Sequence, residues 1–301
     1  MKTIIPEAQY DRVVKSFFFP RTMSVRINTL KTGREDFLSI LKRKNIIFKE
    51  VPWIKEALVL DGVSPLELGA MDIVVEGLIY RQGLSSMLPV ILLDPQPADC
   101  VLDMCAAPGS KATQIAACMS NQSKIVCIEP VRGRYYKLKS VALLMGAANM
   151  SFHLTDARRF RSRNQLFDKI LVDAPCSSEG RFRAGDPKTF AYWSPRKIKE
   201  MVRKQRGLLL SASRLLRPGG TLVYSTCTFA PEENEGVVHW LLKKDGGTLE
   251  TEKIHVPEVE SYSIGTEWKG KVFNDQVKRI LRVLPCEEME GFFIAKFKKN
   301  H

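Results

Sequence analysis

Two short segments hold the residues in this chain best suited to covalent chemistry. One is Asp173-Ala174-Pro175-Cys176-Ser177-Ser178-Glu179-Gly180, the other Tyr224-Ser225-Thr226-Cys227-Thr228. Each continues from a short run rich in Val, Ile and Leu, at 169–173 and 221–224, so each reads as a loop leaving the end of a buried strand. If the two strands end on one rim of a sheet, Cys176 and Cys227 face one pocket. A thiolate becomes a usable nucleophile when nearby positive charge or backbone amides lower its pKa. The chemistry that wants a thiol in such a place is methylation of a pyrimidine carbon. Carbon-5 of cytosine is a poor nucleophile until a thiolate adds to carbon-6 and turns the ring into an enamine. The enamine attacks a sulfonium methyl, a base removes the carbon-5 proton, and elimination releases the thiol. Asp173 is placed to hold the amino edge of the ring. Spacing alone does not say which of the two thiols attacks.

A third segment, Asp103-Met104-Cys105-Ala106-Ala107-Pro108-Gly109-Ser110-Lys111, ends the strand-like run at 101–105 and opens a helix expected over 112–119. Small residues let a ligand approach the backbone, and the free amides at a helix start attract negative charge. A nucleotide P-loop is excluded, because that motif sets Gly and Lys side by side with a second Gly upstream. The three-glycine dinucleotide fingerprint is absent as well. Glu129 stands twenty residues beyond Gly109, an offset that suits a ribose diol. A lone acid at a strand end is equally a solvated carboxylate. Four strand ends in succession carrying Asp103, Glu129, Asp156 and Asp173 form a stronger pattern. They suit a ligand with a diol, an amino group and a positive centre, which describes S-adenosyl-L-methionine better than a nucleotide phosphate.

These loops require strands that end together. Short apolar runs at 101–105, 124–129, 150–155, 169–173 and 221–224 are mostly separated by helix-patterned stretches, which predicts a parallel sheet with helices on both faces. A helix-like stretch over 73–95 leads into the first of them. Arg217-Pro218-Gly219-Gly220 reads as the turn between a helix and the next strand. Two more strand-like runs in 279–298 would complete seven strands. Ahead of this unit, a strand over 22–29, a helix over 33–45 and a strand over 46–51 form a small basic module, with 11 Lys and Arg against 5 Asp and Glu in residues 1–52. The fold class expected is α/β, a Rossmann-like sheet of seven mostly parallel strands preceded by a small α+β domain. The boundary is set between 1–70 and 71–301.

The formal net charge of +13 suggests a polyanionic partner, although a solvated basic surface gives the same number. The excess is concentrated in 156–217, which holds 16 Lys and Arg against 6 Asp and Glu. Arg158, Arg159, Arg161 and Arg163 crowd one loop. Arg181, Phe182, Arg183, Phe190, Tyr192 and Trp193 interleave cations with rings, which is how unpaired nucleic acid is held. A base must leave its stack to reach such a pocket. The seven cysteines are odd in number and no pair has the gap of a zinc site, so free thiols and no metal are expected. Most of these thiols read as small buried hydrophobes. No apolar run reaches the roughly 18 residues a spanning helix needs, and residues 1–11 do not read as a secretory signal. A cytoplasmic monomer without membrane contact is the expectation.

These motifs, in this order, resemble the Nol/Nop/Sun (Fmu-type) family of RNA cytosine-5 methyltransferases. The likeness rests on 103–111, Asp156-Ala157, 173–180, 224–228 and Pro231-Glu232-Glu233-Asn234-Glu235, and extends to Gln82, Ser85-Ser86-Met87 and Gly291-Phe292-Phe293. The resemblance implies that Cys227 is the nucleophile and that Cys176 assists product release. It implies that Cys105, Ala106, Ala107, Pro108, Gly109, Ser110 and Lys111 line the cofactor loop. Glu129, Asp156 and Asp173 would bind S-adenosylmethionine, with Arg134 as a further candidate. The substrate implied is rRNA or tRNA. Gly83 departs from the pattern, standing where members often carry an acid, and Cys286 follows Pro285 where a His is common. The main rival is a non-catalytic RNA-binding or ribosome-assembly protein on the same fold. Methylation of a protein or of an exocyclic amine is a second rival, since it needs no thiol.

Overall fold

The chain lays down two sheets in succession, and the cleft between them holds the reactive segments. The computed structural model describes residues 4–19, 22–162 and 165–300, so Arg163 of the basic loop lies outside the described residues. The first unit runs α1 (Glu7–Ser16), β1 (Met23–Ile27), α2 (Arg34–Arg43), β2 (Ile47–Glu50), β3 (Ala57–Asp61), α3 (Pro65–Ala70), α4 (Asp72–Val75) and β4 (Ile79–Arg81). Its strands pair antiparallel in the order β2-β3-β1-β4. In α2, Phe37, Leu38 and Leu41 fall on one face and bury against Val25, Ile27, Leu58 and Leu60. Glu35 and Asp36 in its first turn and Lys42 and Arg43 in its last oppose the helix dipole.

The second unit runs α5 (Leu84–Leu93), β5 (Val101–Asp103), α6 (Ser110–Cys118), β6 (Ile125–Ile128), α7 (Arg132–Leu144), β7 (Met150–His153), β8 (Phe167–Asp173), α8 (Pro195–Leu215), β9 (Leu216–Thr226) and α9 (Glu235–Asp245). Short strands β10 (Leu249–Glu252), β11 (Ser261–Tyr262), β12 (Glu267–Trp268) and β13 (Lys271–Val272) precede β14 (Leu281–Val283) and β15 (Phe292–Lys299). The sheet order is β11-β14-β15-β9-β8-β5-β6-β7. Five strands, β7 to β9 along this path, are parallel, and β15 and β14 close the edge antiparallel. Rossmann-like architecture with a small domain ahead of it is what the sequence pattern predicted. To the seven strands the structure adds β11 on β14, and β10 beyond β14 on the same edge of β15. After β7 the chain crosses back over β5 to lay down β8, so the strand order reverses between β5 and β8. Ligands bind at such a switch point, beyond the carboxyl ends of the strands.

Three local expectations change. The helix-like stretch over 73–95 is two helices, α4 and α5, with β4 between them. Gly77 takes a φ of 70° to end α4, and a Cβ there would stand 2.3 Å from the Leu144 carbonyl oxygen. The turn at 217–220 is a bulge inside β9. Leu216 already pairs with Phe167, and pairing resumes at Thr221 and Lys169. Strand β3 went unread because four of its five residues are buried, so Ala57-Leu58-Val59-Leu60 has no alternation to mark it.

Candidate active site

Strands β8 and β9 run parallel and in register, Asp173 beside Ser225, so the loops that follow them leave the sheet side by side. Cys176 Sγ and Cys227 Sγ lie 3.4 Å apart. The Ser178 hydroxyl is 3.6 Å from the Cys227 sulfur and 3.8 Å from that of Cys176. Their surroundings separate the two thiols where sequence spacing did not. The Cys227 thiol is held below its ordinary value by the hydrogen bond from Cys176, then by the Arg181 guanidinium and the Ser178 hydroxyl, against the effect of burial. The Cys176 thiol is pushed up by the same contact and by burial. Cys227 also lines a cleft of about 410 Å³ between the two sheets, whose walls do not include Cys176.

That cleft brings together Pro108, Ser110, Lys111, Asp173 and Cys227 from the second unit and Ser24, Tyr80 and Gln82 from the first. Lys111 Nζ donates to Asp173 Oδ2 at 2.7 Å and to Ser86 Oγ at 2.8 Å, while Ser225 Oγ donates to Asp173 Oδ1 at 2.7 Å. The Asp173 carboxylate is thereby fixed at the floor of the cleft, with a cation against it.

The other predicted residues sit beyond Asp173, outside the cleft walls. Asp103 is buried. Its Oδ1 accepts from the Cys105 amide at 3.1 Å, and its Oδ2 has no hydrogen-bond partner among the described residues. Burial pushes this carboxyl up to about 7. Gly109 takes a φ of 115°, and a Cβ there would stand 2.9 Å from Val141 Cγ1 of α7. Only glycine lets α6 start so close to α7. Glu129 is buried at the end of β6, with one oxygen capping the Val131 amide at 2.9 Å and the other 3.4 Å from Arg134. Arg134 in turn donates to the Ala107 carbonyl at 2.7 Å, joining the β6 end to the loop at 105–109. Asp156 is turned toward Arg158, which donates to both its oxygens and holds its carboxyl below the usual range.

Several residues that sequence reasoning left without roles support the two thiol loops. Glu179 accepts from Thr228 Oγ1 at 3.0 Å, the Phe229 amide at 3.1 Å and Trp193 Nε1 at 2.7 Å. Glu233 accepts from the Ser177 amide, from Gln205 Nε2 at 2.7 Å and makes a close contact with Ser177 Oγ. Asn234 spans Thr226 and the Thr228 carbonyl. Gly180 donates to the Cys227 carbonyl at 2.9 Å, and a Cβ on it would stand 2.1 Å from the Gly291 oxygen. The signal for these residues was their place inside the motifs at 173–180 and 231–235. The links that tie one thiol loop to the other, Glu179 to Thr228 and Glu233 to Ser177, span 49 and 56 residues.

Residues 90–298 match the family model described as 16S rRNA methyltransferase RsmB/F, and residues 2–67 match that of the RsmF/B-like ferredoxin-like domain. The chain is 37% identical over 284 residues to the tRNA (cytosine(49)-C(5))-methyltransferase of Pyrococcus abyssi, covering 93% of this chain and 89% of that protein. It is 38% identical over 308 residues to ribosomal RNA small subunit methyltransferase F of Klebsiella pneumoniae, covering all of this chain but 62% of the relative. Among solved structures, a methyltransferase homolog from Pyrococcus horikoshii superposes with a TM-score of 0.85 at 33% identity, over 99% of this chain and 92% of its own. NSun6 from Pyrococcus horikoshii, solved with the S-adenosylmethionine analogue SFG, gives a TM-score of 0.81 at 25% identity, over 100% of this chain and 96% of its own.

Proposed function

This chain belongs to the RsmB/F family of 16S rRNA methyltransferases, and from that premise we propose that it transfers the methyl group of S-adenosylmethionine to carbon-5 of a cytosine in rRNA or tRNA, with Cys227 as nucleophile. The observation that carries the reading is the thiol pair at 3.4 Å, of which only Cys227 lines the cleft that also holds Asp173 and Lys111.

The residues beyond Asp173 fit S-adenosylmethionine. A buried Asp103 oxygen lacks a partner among the described residues, and a ligand amino group would supply one. Gly109 leaves the loop backbone bare, and Glu129 and Asp156 bring carboxylates to neighbouring strand ends as a ribose diol and a cationic centre require. Bound there, the cofactor supplies a methyl group activated by a positive sulfur. Asp103, Glu129 and Asp156 hold it, Arg134 braces the loop of Cys105, Ala106 and Ala107, and Ser110 opens α6 beneath it.

The target cytosine, extruded from its stack, enters the cleft between the sheets. Cys227 adds through sulfur to carbon-6, and the new S–C bond pushes the ring's electrons to carbon-5, which takes the methyl group. Asp173, oriented by Lys111 and Ser225, accepts from the amino edge of the ring, while the Lys111 ammonium beside it offsets the negative charge that the thiolate brings. Solvent water in the cleft takes the carbon-5 proton as the S–C bond breaks, which restores the aromatic ring and releases Cys227 as a thiolate. Cys176, 3.4 Å away with a high pKa, is placed to give that leaving sulfur its hydrogen bond or proton. The first unit, whose sheet runs past the boundary expected at 70 to include β4, contributes the other wall of the cleft through Ser24 and Tyr80 and contacts RNA. No helix among the described residues is long and apolar enough to cross a membrane, and no cluster of metal-ligand type occurs among them.

The test is methyl transfer from labelled S-adenosylmethionine to total RNA from cells lacking the gene, followed by nucleoside analysis. Label is expected in 5-methylcytidine, and Cys227→Ser is expected to abolish transfer while still binding cofactor in calorimetry. Label in another nucleoside, or transfer retained in Cys227→Ser, would sink the mechanism. Cofactor and RNA binding with no transfer to any RNA fraction would favour the assembly-protein rival.

A further inference from the structure

A second cleft, of about 730 Å³, opens beside the first, and its walls include Phe17, Phe18, Phe19, Ser178, Arg181 and Arg183. Helix α1 ends at Ser16, and the three phenylalanines that follow have different fates. Phe17 packs edge-on against Phe229, just after Cys227, with ring centroids 6.3 Å apart, and its carbonyl accepts from the Ala184 amide at 3.0 Å. Phe18 is 71% exposed and Phe19 39% exposed. Large rings left in water forgo the stabilisation of burial, and such clusters mark binding surfaces.

The wall facing these rings is cationic and shared with the thiol cleft. Arg181 and Arg183 line both cavities. Arg183 is braced by donating to the carbonyls of Ser16 and Phe182 at 3.3 and 3.4 Å. Ser178, in the wall of the second cleft, lies 3.6 Å from the Cys227 sulfur. Among the described residues Asp186 is the one acid in this wall, and its carboxylate is engaged in capping the Lys188 amide at 3.2 Å. The second cleft thus begins where the first ends. A chain with one base over Cys227 carries its neighbour toward the phenylalanines, with the joining phosphate passing the two arginines.

We propose that Phe18 and Phe19, with Arg183, form a stacking subsite for an unpaired RNA base adjacent to the target cytosine. This deepens the RNA reading above and rests on it. Bases stack on exposed rings whatever their sequence, and arginine neutralises the phosphate between them. A second copy of this chain would also cover two exposed phenylalanines, but the arginine wall and the shared boundary with the thiol cleft favour a polyanion.

The probe is a short oligouridine with one central cytidine and 4-thiouridine on either side of it. Crosslinking under near-ultraviolet light, with peptide mapping, is expected to place the adduct on the segment carrying Phe18 and Phe19. By fluorescence anisotropy, Phe18→Ala and Phe19→Ala are each expected to weaken binding about tenfold, the scale of one stacked base. Phe18→Trp should restore it, and an unchanged melting temperature would show that the fold is kept. Crosslinks confined to other segments, absence of binding by the wild type, or alanine variants that bind like wild type would overturn the subsite. So would a dimer of the RNA-free protein in sedimentation that Phe18→Ala converts to monomer. Crosslinks at these residues without any methyl transfer would leave the subsite standing and take down the enzymatic reading instead.

Discussion

Cys176 and Cys227 are the same residue type at the ends of neighbouring strands, and only their surroundings divide the labour between them. The contact with Cys176 and the positive charge of Arg181 favour the Cys227 thiolate, while the Cys176 thiol is pushed up, so the proton leaves Cys227 first. Removing Cys176 therefore has two consequences. The Cys227 thiol loses its first-named stabilising contact, so alkylation of the Cys227 peptide by iodoacetamide, followed by mass spectrometry across pH, should show its midpoint moved upward in Cys176→Ala. The departing sulfur also loses its neighbour, so Cys176→Ala is expected to accumulate a covalent RNA adduct through Cys227, seen as a band that survives denaturing electrophoresis. If Cys176→Ala together with Cys227→Ala traps RNA equally well, the adduct is not at Cys227 and the division of roles is wrong.

At the scale of elements, the two thiol loops are locked by a chain of side chains whose protons can be counted. Thr228 has one hydroxyl proton and gives it to Glu179 at 3.0 Å. The 2.7 Å contact between Ser177 Oγ and Thr228 Oγ1 must then use the proton of Ser177. The close contact of Ser177 Oγ with Glu233 is a hydrogen bond only if Glu233 carries a proton of its own. Burial pushes this carboxyl up to about 7, which agrees with the count. A carboxyl raised from 4.5 to about 7 binds a proton in the folded state that the unfolded state has released, so its contribution to stability is complete below 4.5 and declines as pH rises to about 7. Glu233→Gln keeps a donor toward Ser177 and removes the titration. Its stability should lose the share of the slope due to Glu233, about 1.4 kcal/mol per pH unit over that window, while Asp103 keeps its own share. Denaturant unfolding at several pH values measures this. An unchanged slope would mean that Glu233 is ionised and the proton count fails. None of this lock was legible in the sequence. The strands that aim the loops were, because buried parallel strands write themselves as runs of Val, Ile and Leu, and Lys111, Asp173 and Cys227 were legible as strand-end and loop residues. Glu233, by contrast, meets Ser177 across 56 positions, and a carboxylate's partner at that separation leaves no local pattern. The helix expected over 73–95 failed for a related reason. Ile79-Tyr80-Arg81 is too short to show a period, and its partner β1 lies far upstream.

At the scale of the molecule, the cleft exists only because the two sheets are held at a fixed relation, and one buried arginine does much of the holding. Arg26, on β1, is 1% exposed. It donates through Nε to Gln82 Oε1 at 2.9 Å and through Nη2 to Thr113 Oγ1 at 2.9 Å, reaching from the first sheet into α6 just beyond the cofactor loop. Gln82 passes the link on to Gln114 at 2.8 Å. Burial pushes the Arg26 guanidinium down to about 10, which leaves it charged at neutral pH. A charge taken out of water is tolerable only while its hydrogen bonds are made, and the acceptors it serves are buried with it. Arg26→Met fills similar volume but strands Gln82 Oε1 and takes one bond from Thr113 Oγ1, which still donates to the Gly109 carbonyl at 2.8 Å. It should cost about 3 kcal/mol, and more distinctively it should uncouple the sheets. Calorimetry of wild type is expected to show one transition, and that of Arg26→Met two, the earlier belonging to the first unit. Cofactor affinity should fall less than RNA affinity, because the strand-end acids that face the cofactor belong wholly to the second sheet while the RNA cleft needs both. A variant that melts in one transition, with both affinities reduced alike, would show that Arg26 stabilises the fold without setting the width of the cleft.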